Sequence, residues 1–220
     1  LVLQLAHHVH AHATTRSHVQ TALVPVVVYI RNGKTGKVDA HSVVFMTPDL
    51  NHSNKMVQHI MEHVMSEANS KSEGVTHVHI WSDGCGGQLK NRWQLYWLTQ
   101  GHANLKTAHN FFQSCHGKGP SDSEGAVVKS FLRRAAFVYG KRINSSKRAF
   151  ELCNDTESGI KKSLHEGVPN RRSIMTRRFV YVDVGVVHHL RRPQVMEVPG
   201  CKSMFCFSGA TGCAGELQVT

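Results

Sequence analysis

The chain has no two cysteines at C-x-x-C spacing, no apolar run near the roughly 18 residues of a membrane span, and no leader of charged then apolar residues. The first absence leaves the cysteines unpaired along the sequence, the second argues against a transmembrane helix, the third against a cleaved secretory signal. Cys85, Cys115, Cys153, Cys201, Cys206 and Cys213 are scattered, which suits reduced intracellular thiols better than a disulfide scaffold. The last three lie among Gly and Ser; a metal knuckle completed beyond Thr220 is conceivable from that grouping, but its loose spacing favours free thiols. An initiating methionine is absent as well, and Leu1 already sits in an apolar, strand-like run, so the expectation is the core of a longer protein whose N-terminal part is missing. Acid is scarce: 15 Asp and Glu face 26 Lys and Arg, for a net charge of +11 and a pI near 9.6. The basic excess lies in the later half, from Lys129 to Arg192, and its natural partner is a polyanion, nucleic acid first. The alternative is a solvated basic face with no partner.

What is present is 220 residues, 40% of them hydrophobic, enough for one globular core with an appended piece. The opening is His-rich. Strand alternation would put His8, His10 and His12 on one face, a possible Zn2+ or Cu2+ ligand set without a sequence-adjacent fourth member. Residues 24–30 and 38–46 read as two β-branched strands of an antiparallel hairpin, with Asn32-Gly33 marking the turn. Ser53 is placed to cap a helix whose Met56, Val57, Ile60, Met61, Val64, Met65 and Ala68 form a one-sided apolar stripe, best read as core packing.

The organising stretch follows. Val75, Val78, Ile80 and Trp81 make a short strand that stops at Asp83; Gly84, Gly86 and Gly87 then turn the chain into a helix carrying Leu89, Trp93, Tyr96, Trp97 and Leu98. Gln88, Lys90, Asn91 and Arg92 would occupy its first turn, where amide and basic side chains reach phosphate or base edges. A second strand, 105–113, breaks at His116-Gly117-Lys118-Gly119-Pro120, and Asp122 opens an amphipathic helix over 123–139. That helix buries Val127, Val128, Phe131, Leu132, Ala135 and Ala136 and projects Lys129, Arg133 and Arg134. If the two strands are neighbours, Asp83 and Asp122 converge at one sheet edge, and hard carboxylate oxygens of that kind hold Mg2+ or Mn2+ for phosphoryl transfer. Past 140 the pattern gives a helix from 145 or 146 to 153, a shorter one around 160–164, a loop at 168–172 and a strand-like run at 179–187.

Strand, strand, strand, helix, strand, helix, strand, helix is the order of the ribonuclease H-like fold: α/β, antiparallel hairpin strands followed by parallel strands, with flanking helices. The expected division is a core at 1–140 and a peripheral basic extension at 141–220 packed on it. Two motifs, W-S-D-G-C-G-G-Q-L-K-N-R at 81–92 and F-F-Q-S-C-H-G-K-G-P-S-D-S-E-G-A-V-V-K at 111–129, resemble those of transposon-derived proteins with a DDE-type, Mutator-like transposase core. The family pattern runs approximately S-D-G-x-x-x-Q-F-K-N-R and H-G-K-G-x-x-D-x-x-G-G-x-x-K, with Ala126 replacing the second glycine of the last motif. The resemblance implies metal-dependent DNA cleavage and strand transfer in the nucleus, Asp83 and Asp122 as Mg2+ or Mn2+ ligands, and Glu124 as a reserve acid if Asp122 is only a helix cap. It implies DNA contacts from Gln88, Lys90, Asn91, Arg92, His116, Lys118, Lys129 and Arg133, no membrane, and a homo-oligomer as a further expected partner.

One part of the pattern is missing. Val19-Gln20-Thr21-Ala22 is similar to a marker that follows the family's first-strand Asp by about fourteen residues, which places that Asp at Ala6 or His7. Asp39 and Asp49 do not replace it, since one sits at the hairpin and the other at the far end of the next strand. The chain is therefore expected to be a decayed or repurposed transposase core, a domesticated nucleic-acid-binding module, or a site with unusual histidine assistance. A His-rich metal-binding protein unrelated to DNA is the remaining alternative.

Overall fold

A computed structural model of the chain describes residues 1–5, 9–12, 20–31, 36–51, 53–71, 75–100, 105–112, 119–161, 176–188, 193–209 and 217–219. In chain order the elements are β1 (Val2–Leu5), β2 (Val9–His12), β3 (Gln20–Arg31), β4 (Val38–Thr47), α1 (Asn54–Lys71), β5 (His77–Ser82), α2 (Arg92–Leu98), β6 (Lys106–Phe111), α3 (Pro120–Phe137), α4 (Ser146–Asn154), β7 (Thr176–Tyr181), α5 (Val184–His188), β8 (Cys206–Gly209) and β9 (Leu217–Val219). The class is mixed α/β, with parallel and antiparallel strand pairs and flanking helices. Two compact units interleave along the chain: Leu1–Leu3, His52–Gly117 and Gly185–Thr220 form the first, Gln4–Asn51 and Lys118–Val184 the second.

In the first unit β5 and β6 run parallel, from His77 opposite Lys106 to Ser82 opposite Phe111. Each buries alternate residues, as a strand with one face on a core must. The two organising strands are thus neighbours. On the far side of β6 lies antiparallel β8, and β9 follows it. No strand was expected at 206–209: its four residues are too few for a period to show, yet Phe207 is fully buried and meets the Phe111 ring edge-on at 5.8 Å. The stripe on α1 is core throughout, and Ser53 Oγ accepts the Met56 N–H at 3.4 Å as the cap. Helix α2 packs on α1, with Trp97 Nε1 donating to Glu62 at 2.7 Å. It begins at Arg92 rather than near Gly87, because Asn91 Oδ1 accepts the Gln94 N–H and ends the turn before it.

In the second unit β3 and β4 form the expected antiparallel hairpin, paired from Ala22 opposite Thr47 to Arg31 opposite Val38. The Asn32-Gly33 turn lies outside the described residues. Strand β2 pairs with β3, and β7 runs parallel to β4. The strand expected at 179–187 is shifted to Thr176–Tyr181 and is followed by helix α5. Its end follows its partner: Tyr181 lies opposite Met46, one residue before β4 ends at Thr47, and the Val182 N–H makes the last bond, to the Met46 carbonyl at 3.0 Å. Leu23, Val44, Val128, Leu132, Ile143, Cys153, Ile160 and Phe179 share one cluster, so residues on both sides of position 140 fill the same core. Helix α4 appears as read, with Ser145 Oγ accepting the Arg148 N–H at 3.0 Å; a 3-10 turn, Thr156–Ser158, follows, and 162–164 lie outside the described residues.

Candidate functional site

In the first unit, Asp83 is the residue after β5, half-buried, with Oδ1 accepting the Cys85 N–H at 3.4 Å. The carboxyl end of a parallel strand is where α/β sheets place ligand-binding groups, because the pleat ends and the loop backbone opens there. A buried relay fixes that end. Ser82 Oγ donates to the Asp83 carbonyl at 2.9 Å and lies 2.8 Å from His109 Nε2. A hydroxyl has one proton; with it committed to the carbonyl, Nε2 carries the imidazole hydrogen and donates. Nδ1 is then the bare nitrogen, and among the described residues it has no partner. Burial, and after it the Lys90 charge, push the His109 pKa from 6.5 down to about 3, so the ring is neutral. Sequence reasoning passed over His109; its only signal is that it shares the inward face of β6 with Thr107 and Phe111.

Of the four residues expected to touch nucleic acid here, Gln88 is buried and Lys90 and Asn91 are bonded within the unit. Gln88 is buried, and its Nε2 finds no partner among the described residues. The Lys90 ammonium is turned inward: it donates to the Lys202 carbonyl at 3.3 Å and lies 4.8 Å from the Phe111 ring centre and 5.2 Å from that of Phe205. Gly84 leaves room for that side chain, since a Cβ there would fall 3.2 Å from Lys90 Cε. Asn91 is spent on structure, capping α2 and donating from Nδ2 to the Gly86 and Gly87 carbonyls at 3.3 and 3.2 Å. Arg92 alone keeps a partly open guanidinium, 3.4 Å from the exposed Glu197 and 4.6 Å over Trp93.

In the second unit, Pro120 opens α3 and Asp122 is its third residue, reaching back so that Oδ2 accepts the Gly119 N–H at 3.0 Å. Asp122 therefore caps the helix in this arrangement while remaining partly exposed. Glu124 does not stand in reserve. Both its oxygens accept from Arg177, Oε2 from Nε at 2.5 Å and Oε1 from Nη2 at 2.8 Å, and Arg177 also donates to the Ile160 carbonyl. The pair is almost wholly buried, and it ties α3 to β7. Near it, burial pushes the Cys153 thiol up to about 12, a rise larger than the opposing pull of Arg177, which leaves an inert thiol. Lys129, Arg133 and Arg134 are exposed on α3 as read, whereas Val127 is also exposed and not core.

His116, Lys118, Ala6, His7 and His8 lie outside the described residues, as do Cys115 and Cys213. His10 and His12 belong to β2, in register with Ala22 and Gln20. Cys85, Cys201 and Cys206 are free thiols. Among the described residues no three His, Cys, Asp or Glu side chains group as a metal shell, and no helix is long and apolar enough to cross a membrane. Glu124, with both oxygens held by Arg177, has no oxygen left over to serve as a metal ligand in this arrangement.

No curated protein and no solved structure matches the chain. One family pattern, described as a domain of unknown function, covers residues 8–184 and therefore most of both units, which makes the chain a member of the DUF8701 family.

Proposed function

We propose that this chain is a nucleic-acid-binding core of DDE-type transposase ancestry, working on DNA in the nucleus, whose strand-cleaving chemistry is lost or weakened. The observation that carries the reading is the acid-poor basic surface of α3 and the segment after it, where Lys129, Arg133, Arg134, Lys141 and Arg142 are all exposed. Such a surface grips phosphates without reading bases. The ancestry rests on the motifs around Asp83 and Asp122, and a ribonuclease H-like arrangement is part of the same proposal. Loss of chemistry is supported by two points: the first-strand position holds Ala6 or His7, and Glu124 is consumed by Arg177.

A second reading keeps catalysis, with Asp83 and Asp122 as Mg2+ or Mn2+ ligands; the half-exposed carboxylate at the end of β5 favours it. Cleavage of labelled DNA by the purified chain in Mg2+ and Mn2+ separates the two. The proposal predicts background cleavage by the unmodified chain, a gain on Ala6→Asp, and loss of that gain on adding Asp83→Asn, since an amide lacks the charge that holds the metal. Robust cleavage by the unmodified chain that Asp83→Asn abolishes would establish the catalytic reading. Cleavage lost on changing His8 or His10, and indifferent to Asp83, would put the site elsewhere.

A further inference from the structure

Residues 125–150 contain seven Lys or Arg and no Asp or Glu. Inside this acid-free stretch, where α3 ends, three consecutive apolar or aromatic side chains face water: Phe137 is 57% exposed, Val138 69% and Tyr139 60%. Large apolar side chains exposed at consecutive positions mark a contact surface more often than a scattered single one does. The corner is held from both sides. Leu132 and Ala135 anchor it in the core of the second unit before the turn and Ile143 after it, while every residue from 137 to 142 is exposed.

The turn between those anchors is tied down. The Val138 and Tyr139 N–H groups both donate to the Arg134 carbonyl, at 2.9 and 3.2 Å, and Lys141 N–H closes onto the Ala135 carbonyl at 2.9 Å. Gly140 makes the closure possible with φ of 62°, in the left-handed region where a side chain would be strained. Arg134 Nη2 donates to the Tyr139 hydroxyl at 3.3 Å, which orients the phenol ring among the cations. Two exposed aromatic side chains thus stand on a tied-down backbone, within a few residues of the exposed Arg133, Arg134, Lys141 and Arg142.

The chemistry of the patch selects its occupant. An acidic protein surface would use the cations but offers no regular π-faces. A duplex would use them too, but its base faces are stacked away, and Phe137 and Tyr139 would stay in water. A single strand offers phosphates and open base faces together, and stacking on aromatic side chains is how such strands are held without sequence preference. We propose that the corner formed by residues 133–142 is a platform for single-stranded nucleic acid, with Phe137 and Tyr139 stacking on bases and the four flanking cations on phosphates. This deepens the nucleic-acid reading above and rests on it.

The test is fluorescence anisotropy of the whole chain with a labelled mixed-sequence 20-mer, as a single strand and as a duplex, over a series of salt concentrations. The wild type is expected to bind the single strand more tightly. The double variant Phe137→Ala/Tyr139→Ala should lose on the order of tenfold or more for the single strand and less than about twofold for the duplex, with an unchanged salt slope, because rings stack and release no counterions. Lys141→Gln/Arg142→Gln should instead flatten the slope by about 1 to 2. All four side chains are exposed, so thermal melts of the variants should match the wild type. Single-strand binding indifferent to the loss of both rings, or tighter binding to the duplex, would overturn the platform while leaving nucleic-acid binding intact. Loss of self-association in the double variant with unchanged single-strand binding would likewise overturn it and make the corner a contact between copies. No binding to either probe at the lowest salt would overturn both readings.

Discussion

His109 is neutral because its site has no place for a charge: it is fully buried, Ser82 Oγ satisfies one nitrogen, and the Lys90 charge opposes protonation. Its folded pKa of about 3 lies below the ordinary 6.5, so the unfolded chain binds a proton that the folded chain does not wherever pH lies between the two. This contribution to stability is fully present above pH 6.5 and is lost as pH falls through that window, by up to about 1.4 kcal/mol per pH unit. Chemical denaturation of wild type and His109→Gln at a series of pH values from 7 to 4 checks this. The wild type should lose stability more steeply, and parallel pH curves would show that His109 is not the group responsible. Its partner relation also bears on Asp83, since the Ser82 hydroxyl that meets His109 is the donor to the Asp83 carbonyl.

At the scale of elements, the Arg177–Glu124 pair joins α3 to β7, and its two direct bonds bridge residues 53 apart in the chain. A buried pair is weak evidence for stability against an apolar replacement, but removing one partner strands the other's charge. Glu124→Gln should therefore lower unfolding stability by about 3–5 kcal/mol. Urea titration measures it, and a loss under about 1 kcal/mol would mean that Arg177 finds other acceptors. Local pattern made several elements legible. The stripe on α1, the Ser53 cap and the β3–β4 hairpin all write their geometry into nearby residues, whereas Trp81, expected among the apolar residues of β5, lies on its exposed face. Contacts over long sequence separations leave no such trace. Nothing near Glu124 announces Arg177, and β8 is four residues long with its partner β6 about a hundred residues earlier. The burial of Lys90 leaves no local trace for a related reason: a lysine is expected in water, and only the folded chain brings Phe111, Phe205 and the Lys202 carbonyl around its ammonium.

At the scale of the molecule, the basic excess read from composition is divided between uses. Lys90 and Arg177 are spent inside their own units, whereas Lys129, Arg133, Arg134, Lys141 and Arg142 remain on the surface of the second. Only the exposed set is available to a polyanion, so affinity is expected to follow those residues and not the total charge of +11. The most direct test of the central claim is the salt dependence of DNA binding by the unmodified chain. With about four to seven phosphates neutralised, log K should fall linearly with log salt at a slope of about −3 to −6. A slope near zero, or no binding at about 50 mM salt, would contradict the account and leave the positive charge as a solubilising surface.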